Sequence, residues 1–219
     1  MVDDKRRIEK EAMLERIAIG TANFGKKYNG VKVDDPEKIL EYAKYVGVQY
    51  IDTAESYEWD YSPYVKDFKV ITKVYPGQKP RPGVWAVLAH DGEIGTAKST
   101  GAEHVGVSLY EPEVKTHYGV LQVPYSLWDR RFEKTMLHGD TIMARSIFLK
   151  GRIIEDWNAF ACLSFVLMNP NVDIAVVGTE SQDMLAFTLA PFVAMEKAGK
   201  DDINLLDPRK WKDAKNGME

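Results

Sequence analysis

The chain has 219 residues, with 29 Lys and Arg against 33 Asp and Glu and a formal net charge of −4. With 45% hydrophobic and 28% charged residues, it is too apolar for global disorder and too poor in cysteine for a disulfide scaffold. The slight acidic excess provides no basic field for nucleic acid, so no nucleic-acid partner is expected.

The length fits one domain or two small ones, and no low-complexity linker or internal repeat divides the chain. Residues 1–15 are rich in charge and read as a solvated helix or loose tail, without the apolar stretch of a secretory signal. No apolar run approaches the ~20 residues of a membrane span. The expected location is therefore cytoplasmic. The lone Cys162, inside the apolar run 159–168, reads as a small buried thiol.

Arg16–Phe24 is a short β-type run broken by Gly20. Asp34, Asp35 and Pro36 then signal a helix start, with acids and proline in the first turn. Ile39, Leu40, Ala43 and Val46 supply its apolar stripe, and Gly47 closes it. Val48–Asp52 is the second strand. Further strand-like runs follow at Lys69–Val74, Trp85–His90, Val105–Leu109, Val120–Tyr125, Thr141–Phe148 and Asp173–Val177. Helical stretches are read at Glu111–Tyr118, Asp156–Asn169 and Ser181–Lys197.

Eight strands in largely βα order predict a parallel sheet with helices outside, and eight is the number that closes a TIM barrel. The chain is short for that fold. Residues 75–84 hold Pro76, Pro80, Pro82 and two glycines, and 55–68 hold Pro63, so neither connection suits a helix. The expected fold is an α/β (β/α)8 barrel over 16–198 with some outer helices shortened or missing. A polar tail, 199–219, follows, from which Trp211 could dock.

Functional residues of such barrels project from the C-terminal ends of strands. There the sequence places Asp52, Lys73 and His90 on three consecutive strands, with Tyr57 just beyond Asp52. Tyrosine ionises near pH 10, too high for easy proton donation. A neighbouring ammonium favours the phenolate, a buried carboxylate holds that ammonium, and a histidine can orient a carbonyl oxygen. His104, His117 and His138 lack such a setting and read as surface or packing residues.

Ile19-Gly-Thr-Ala-Asn-Phe-Gly25 and Tyr50-Ile-Asp-Thr-Ala-Glu-Ser-Tyr57 resemble the opening of the aldo-keto reductase family. Ile71-Thr-Lys73 and Val87-Leu-Ala-His-Asp91 resemble its lysine and histidine strands. The likeness continues through Gly106–Ser108, Leu121–Arg131, Ala144–Gly151 and Val176–Thr179, and so covers roughly residues 16–195. The Asp129-Arg-Arg131 and Arg145-Ser-Ile-Phe-Leu-Lys-Gly151 versions look most like a bacterial branch found with surface-polysaccharide and nucleotide-sugar genes.

The resemblance implies Tyr57 as general acid, tuned by Lys73 and Asp52, with His90 orienting the carbonyl. It also implies an NAD(P)H cofactor. Gly20, Thr21 and Ala22 match the first-strand backbone beside it, and Ser108 and Gln122 match the groups on the nicotinamide carboxamide. Arg145 stands where many members stack an aromatic on the nicotinamide. Ser146 and Phe148 match the pyrophosphate-facing segment, and Gly178, Thr179 and Ser181 the adenosine end. Gly178–Met184 carries no Lys or Arg for a 2′-phosphate. No metal is implied.

The implied activity is reduction of an aldehyde or ketone, sugar-like compounds included. A retired barrel serving as a binding or assembly subunit and a redox-neutral sugar epimerase are the alternatives. Substrate and oligomeric state are not readable from the sequence.

Overall fold

The computed structural model describes residues 13–27, 30–113, 118–155 and 158–198. Eight parallel strands close into a barrel in chain order, with β8 pairing back onto β1. They are β1 (Ile17–Gly20), β2 (Tyr50–Asp52), β3 (Lys69–Val74), β4 (Ala86–Ala89), β5 (His104–Ser108), β6 (Tyr118–Pro124), β7 (Gly139–Arg145) and β8 (Ile174–Gly178). All eight expected strands are present.

The strand period of two divides their side chains. Ala18, Ile71, Ala86, Leu88, Val120, Met143, Ile174 and Val176 fill the inside, with Tyr50 and Trp85 packed against them. The alternate set, including Ile17, Ile51, Val70, Val87, Leu121 and Ile142, faces outward into the larger core under the helices. Continued to the upper strand ends, the inward parity reaches Gly20, Asp52, Lys73, His90, Ser108, Gln122, Arg145 and Gly178.

Four α-helices are described. In α1 (Pro36–Tyr45), the Asp35 carboxylate accepts from the Lys38 N–H at 3.2 Å and caps the start. Ile39, Leu40 and Ala43 are buried, and each large side chain contributes about 1.5–3 kcal/mol. The other three are α2 (Ile94–Lys98), α3 (Ala159–Leu167) and α4 (Gln182–Ala198). Ser181 caps α4, its hydroxyl accepting from the Met184 N–H at 3.2 Å. Cys162 is fully buried in α3, and burial pushes its thiol up to about 11.

Among the described residues, no α-helix follows β2, β3, β5 or β6. After β2, short 3₁₀ turns replace a helix, and after β3 a proline-rich run of turns does, while aromatics pack into the core beside them. Phe24 meets Trp59 edge-on at 5.1 Å, and Trp59 stacks on Tyr64 at 5.4 Å.

Two expectations need correction. The helix read at Glu111–Tyr118 is absent where described: residues 111–113 are irregular, and Tyr118 is the first, buried residue of β6. Tyr118, Val120 and Gln122 alternate as a strand does, and that two-residue period outweighs the helical spacing. Met13 and Leu14, read as part of a solvated tail, are buried in a 3₁₀ turn within the main core, because both are large and apolar. Trp211 and His117 lie outside the described residues. The described part has no helix long and apolar enough to cross a membrane.

Candidate active site at the barrel mouth

Asp52 ends β2 opposite Ile71 of β3, and Lys73 lies two residues further along β3 on the same inward face, within reach of it. Lys73 Nζ donates to Asp52 Oδ1 at 2.6 Å, with 3% and 8% of the side chains exposed. Asp52 Oδ1 also accepts from Gln122 Nε2 at 2.7 Å, and Gln122 Oε1 accepts from Ser108 Oγ at 2.8 Å. Four buried polar groups thus form one connected chain across the mouth. Each satisfies a neighbour, as low-dielectric surroundings demand. Burial pushes the Lys73 ammonium down, while Asp52 opposes that shift.

Tyr57 comes from a 3₁₀ turn, Glu55–Tyr57, just above β2. Lys73 Nζ lies 5.5 Å from the centre of its ring, and the ring meets His90 edge-on at 6.5 Å. Gly25 allows this turn to close. A Cβ at position 25 would sit 2.6 Å from the Tyr57 carbonyl oxygen, so any other residue would push the two segments apart. Glu55 anchors the other end, accepting from Thr72 Oγ1 at 3.1 Å and pairing with Arg81 Nη1 at 3.3 Å. The buried Tyr61 hydroxyl also donates to Glu55, and burial pushes that phenol up to about 12.

His90 follows β4 and is 8% exposed. Tyr75 stacks on it at 4.7 Å, and its Nε2 lies 3.0 Å from the Tyr110 hydroxyl. Arg145, at the end of β7, donates from Nη2 to the Leu109 carbonyl at 2.8 Å and lies 4.6 Å over the Tyr110 ring.

Beside the mouth, a cleft of about 620 Å³ opens between the segment after β7 and the start of α4. Phe148, Ile154, Gly178, Thr179, Met184 and Phe187 line most of it, with Asp183 at its side. Gly178 pairs in register with Gly20, and a Cβ added to it would meet nothing within 4 Å. The sheet therefore presents bare backbone where mouth and cleft meet. Three residues of the β7–α3 segment, Ser146, Leu149 and Lys150, hold positive φ of 48–59°. Such strain is often retained at ligand-contacting segments.

No protein-family model and no curated protein matches this chain. Solved structures do. One from Pseudomonas aeruginosa, assigned to the aldo-keto reductases, shares 22% identity with a TM-score of 0.64, covering 82% of this chain and 90% of that one. The barrel has the aldo-keto reductase fold. A Klebsiella pneumoniae aldo-keto reductase in complex with NADPH gives 19% identity and a TM-score of 0.60, over 81% and 85% of the two chains. The holo form of a Bacillus halodurans aldo-keto reductase gives 14% and 0.59, over 88% and 92%.

On this aldo-keto reductase fold the structure gathers Asp52, Tyr57, Lys73, His90, Ser108, Gln122 and Arg145 at one mouth. Phe148, Gly178 and Thr179 line the cleft, with Gly20 at its inner edge. Thr21 is fully buried and bonded to the Asp52 carbonyl at 3.2 Å, and Ala22 follows it half-buried. Ser146 is exposed and Ser181 is engaged as the α4 cap, and neither is among the cleft residues. Sequence reasoning missed Tyr75, Tyr110, Glu55 and Arg81. The first two were within reach, because Lys73 to Tyr75 and Ser108 to Tyr110 simply continue the inward alternation.

Burial, and then the charge of Lys73, push His90 from 6.5 down to about 4. A histidine held neutral in this way stabilises the fold fully above pH 6.5, and that contribution is lost as pH falls toward 4. Between pH 7 and 4.5 the loss is expected to reach about 2 kcal/mol. Urea unfolding at both pH values should show it in the wild type and not in His90→Gln. Equal losses in the two proteins would mean that His90 titrates normally.

Proposed function

We propose that this chain is a member of the aldo-keto reductase family, an NAD(P)H-dependent oxidoreductase that reduces an aldehyde or ketone to an alcohol. The observation that carries this reading is the buried Asp52–Lys73 pair beneath Tyr57, with His90 beside it. No structural need explains a charge pair at that depth, since an apolar pair of similar volume is commonly as stable or more so.

The residues present fit a nicotinamide dinucleotide. The bare Gly20–Gly178 backbone joins the mouth to the cleft, and the cleft falls in the 300–1,000 Å³ range of cofactor sites. Ser108, Gln122 and Arg145 would hold its nicotinamide end, and Phe148, Gly178 and Thr179 the remainder. When bound, the cofactor supplies the hydride.

The protein supplies the proton and the orientation. Tyr57 Oη gives its proton to the carbonyl oxygen, and the Lys73 ammonium stabilises the phenolate left behind. Asp52 keeps that ammonium charged and fixed, while Gln122 and Ser108 hold Asp52 from the other side. His90, neutral at physiological pH, donates from one ring nitrogen to the same oxygen without adding a competing charge. A panel of aldehydes, ketones and nucleotide-sugar ketones, followed by NAD(P)H consumption, tests the reading. Consumption that requires both carbonyl and enzyme supports it, and none across the panel counts against it.

The cleft also bears on cofactor choice. Its described lining residues include Asp183 and no lysine or arginine. A 2′-phosphate would lack its charge-assisted partner and face a carboxylate, which costs ~2–3 kcal/mol or ~30–150-fold in affinity. NADH is therefore expected to bind at least as tightly as NADPH. Titrating both at two ionic strengths checks this. Tighter NADPH binding that weakens with salt would contradict it.

A further inference from the structure

Tyr110 brings a second phenol into the mouth, against the histidine that the proposed function assigns to the substrate oxygen. The rings of Tyr110 and His90 are within 12° of parallel at 6.2 Å, while the hydroxyl lies 3.0 Å from Nε2. Those values describe a hydrogen bond near the plane of the imidazole rather than face-to-face stacking. The other nitrogen, Nδ1, is buried with no hydrogen-bond partner among the described residues.

That asymmetry assigns the tautomer. A neutral imidazole carries one proton, and a buried N–H without an acceptor is rarer in proteins than an unused lone pair. Proton placement on Nε2 leaves Nδ1 as a bare lone pair and makes Nε2–H the donor to the Tyr110 oxygen. This is the same donation that a substrate carbonyl would receive.

Tyr110 is held where it can compete. Arg145 covers its ring at 4.6 Å and also ties down the preceding carbonyl, that of Leu109, at 2.8 Å. Tyr75 packs against the His90 ring at 4.7 Å, limiting the imidazole's freedom to turn away. Yet Tyr110 is 55% exposed, so it can swing toward solvent without leaving a cavity in the core.

We propose that Tyr110 is a specificity-determining gate. Its hydroxyl oxygen occupies, on His90 Nε2, the place of a substrate carbonyl oxygen, and a carbonyl compound must displace it to be reduced. Good hydrogen-bond acceptors, such as aldehydes and unhindered ketones, are then favoured over carbonyls that cannot approach Nε2 in the ring plane. This inference rests on the proposed carbonyl reduction and adds the competitor that a substrate meets.

The test compares wild type with Tyr110→Phe, a surface-exposed change that keeps the ring. Losing one competing neutral hydrogen bond is expected to lower KM for reducible carbonyls about two- to tenfold, with the effect in KM rather than kcat. Long-range ¹H–¹⁵N correlation of the imidazoles supplies a readout independent of turnover. The wild type should show the Nε2–H tautomer for His90, and the Nε2–H resonance should move upfield in Tyr110→Phe.

An unchanged or raised KM in an active enzyme overturns the gate and leaves the oxidoreductase reading standing. An unmoved His90 resonance overturns it as well. A fall in kcat of a hundredfold or more, with loss of an ionisation from the pH profile, would make Tyr110 a proton donor and also overturn it. Wild type that neither binds reduced nucleotide nor consumes it would sink the reading beneath the gate, whatever the NMR result.

Discussion

Tyr57→Phe is expected to lower turnover by 10²–10⁴-fold or more, the range typical of general acid–base catalysis. Binding of reduced nucleotide should change little, because the ring remains. The expectation rests on placement. The Lys73 ammonium is 5.5 Å from this ring, and the turn carrying Tyr57 is fixed at both ends, by the close approach of Gly25 and by the Glu55–Arg81–Thr72 contacts. Steady-state rates with any reducible carbonyl read the effect. Full activity in the variant would transfer the acid role, with His90 the first candidate.

Lys73→Met should lose both stability and activity. With the ammonium gone, Asp52 Oδ1 keeps the Gln122 hydrogen bond at 2.7 Å but no positive partner, in a side chain only 8% exposed. Removing one member of such a pair commonly costs 3–5 kcal/mol. For a chain of this size that corresponds to a Tm lower by about 6–20 °C. Lys73→Met combined with Asp52→Asn should recover part of the loss, since no buried charge then remains uncompensated, and activity should stay low. A single variant that melts normally would mean that solvent reaches Asp52.

Most of the barrel was readable because strands and their inward faces follow a two-residue rule that survives low similarity. Lys69–Val74 is a strand with the bounds expected, and Asp52, Lys73 and His90 stood out as polar residues at the ends of successive apolar strands. What escaped the sequence depends on tertiary partners. Glu55 and Arg81 are 26 residues apart and meet only because the β2–β3 and β3–β4 connections, both without helices, fold over the same strands. Tyr110 escaped because the expected strand, Val105–Leu109, stops one residue short of it, so the inward alternation was not carried on from Ser108. The burial of Met13 and Leu14 was masked by the charged residues around them.

The most decisive measurement is thermal melting of the purified protein with NADH and, separately, NADPH. A nucleotide held at the mouth and cleft stabilises the folded chain by RT ln(1 + [L]/Kd), or about 2.7 kcal/mol at a hundredfold excess over Kd. That corresponds to a Tm higher by roughly 5–10 °C, with NADH at least as effective as NADPH. No shift with either nucleotide at millimolar concentration would contradict an oxidoreductase and leave the barrel as a binding or assembly module.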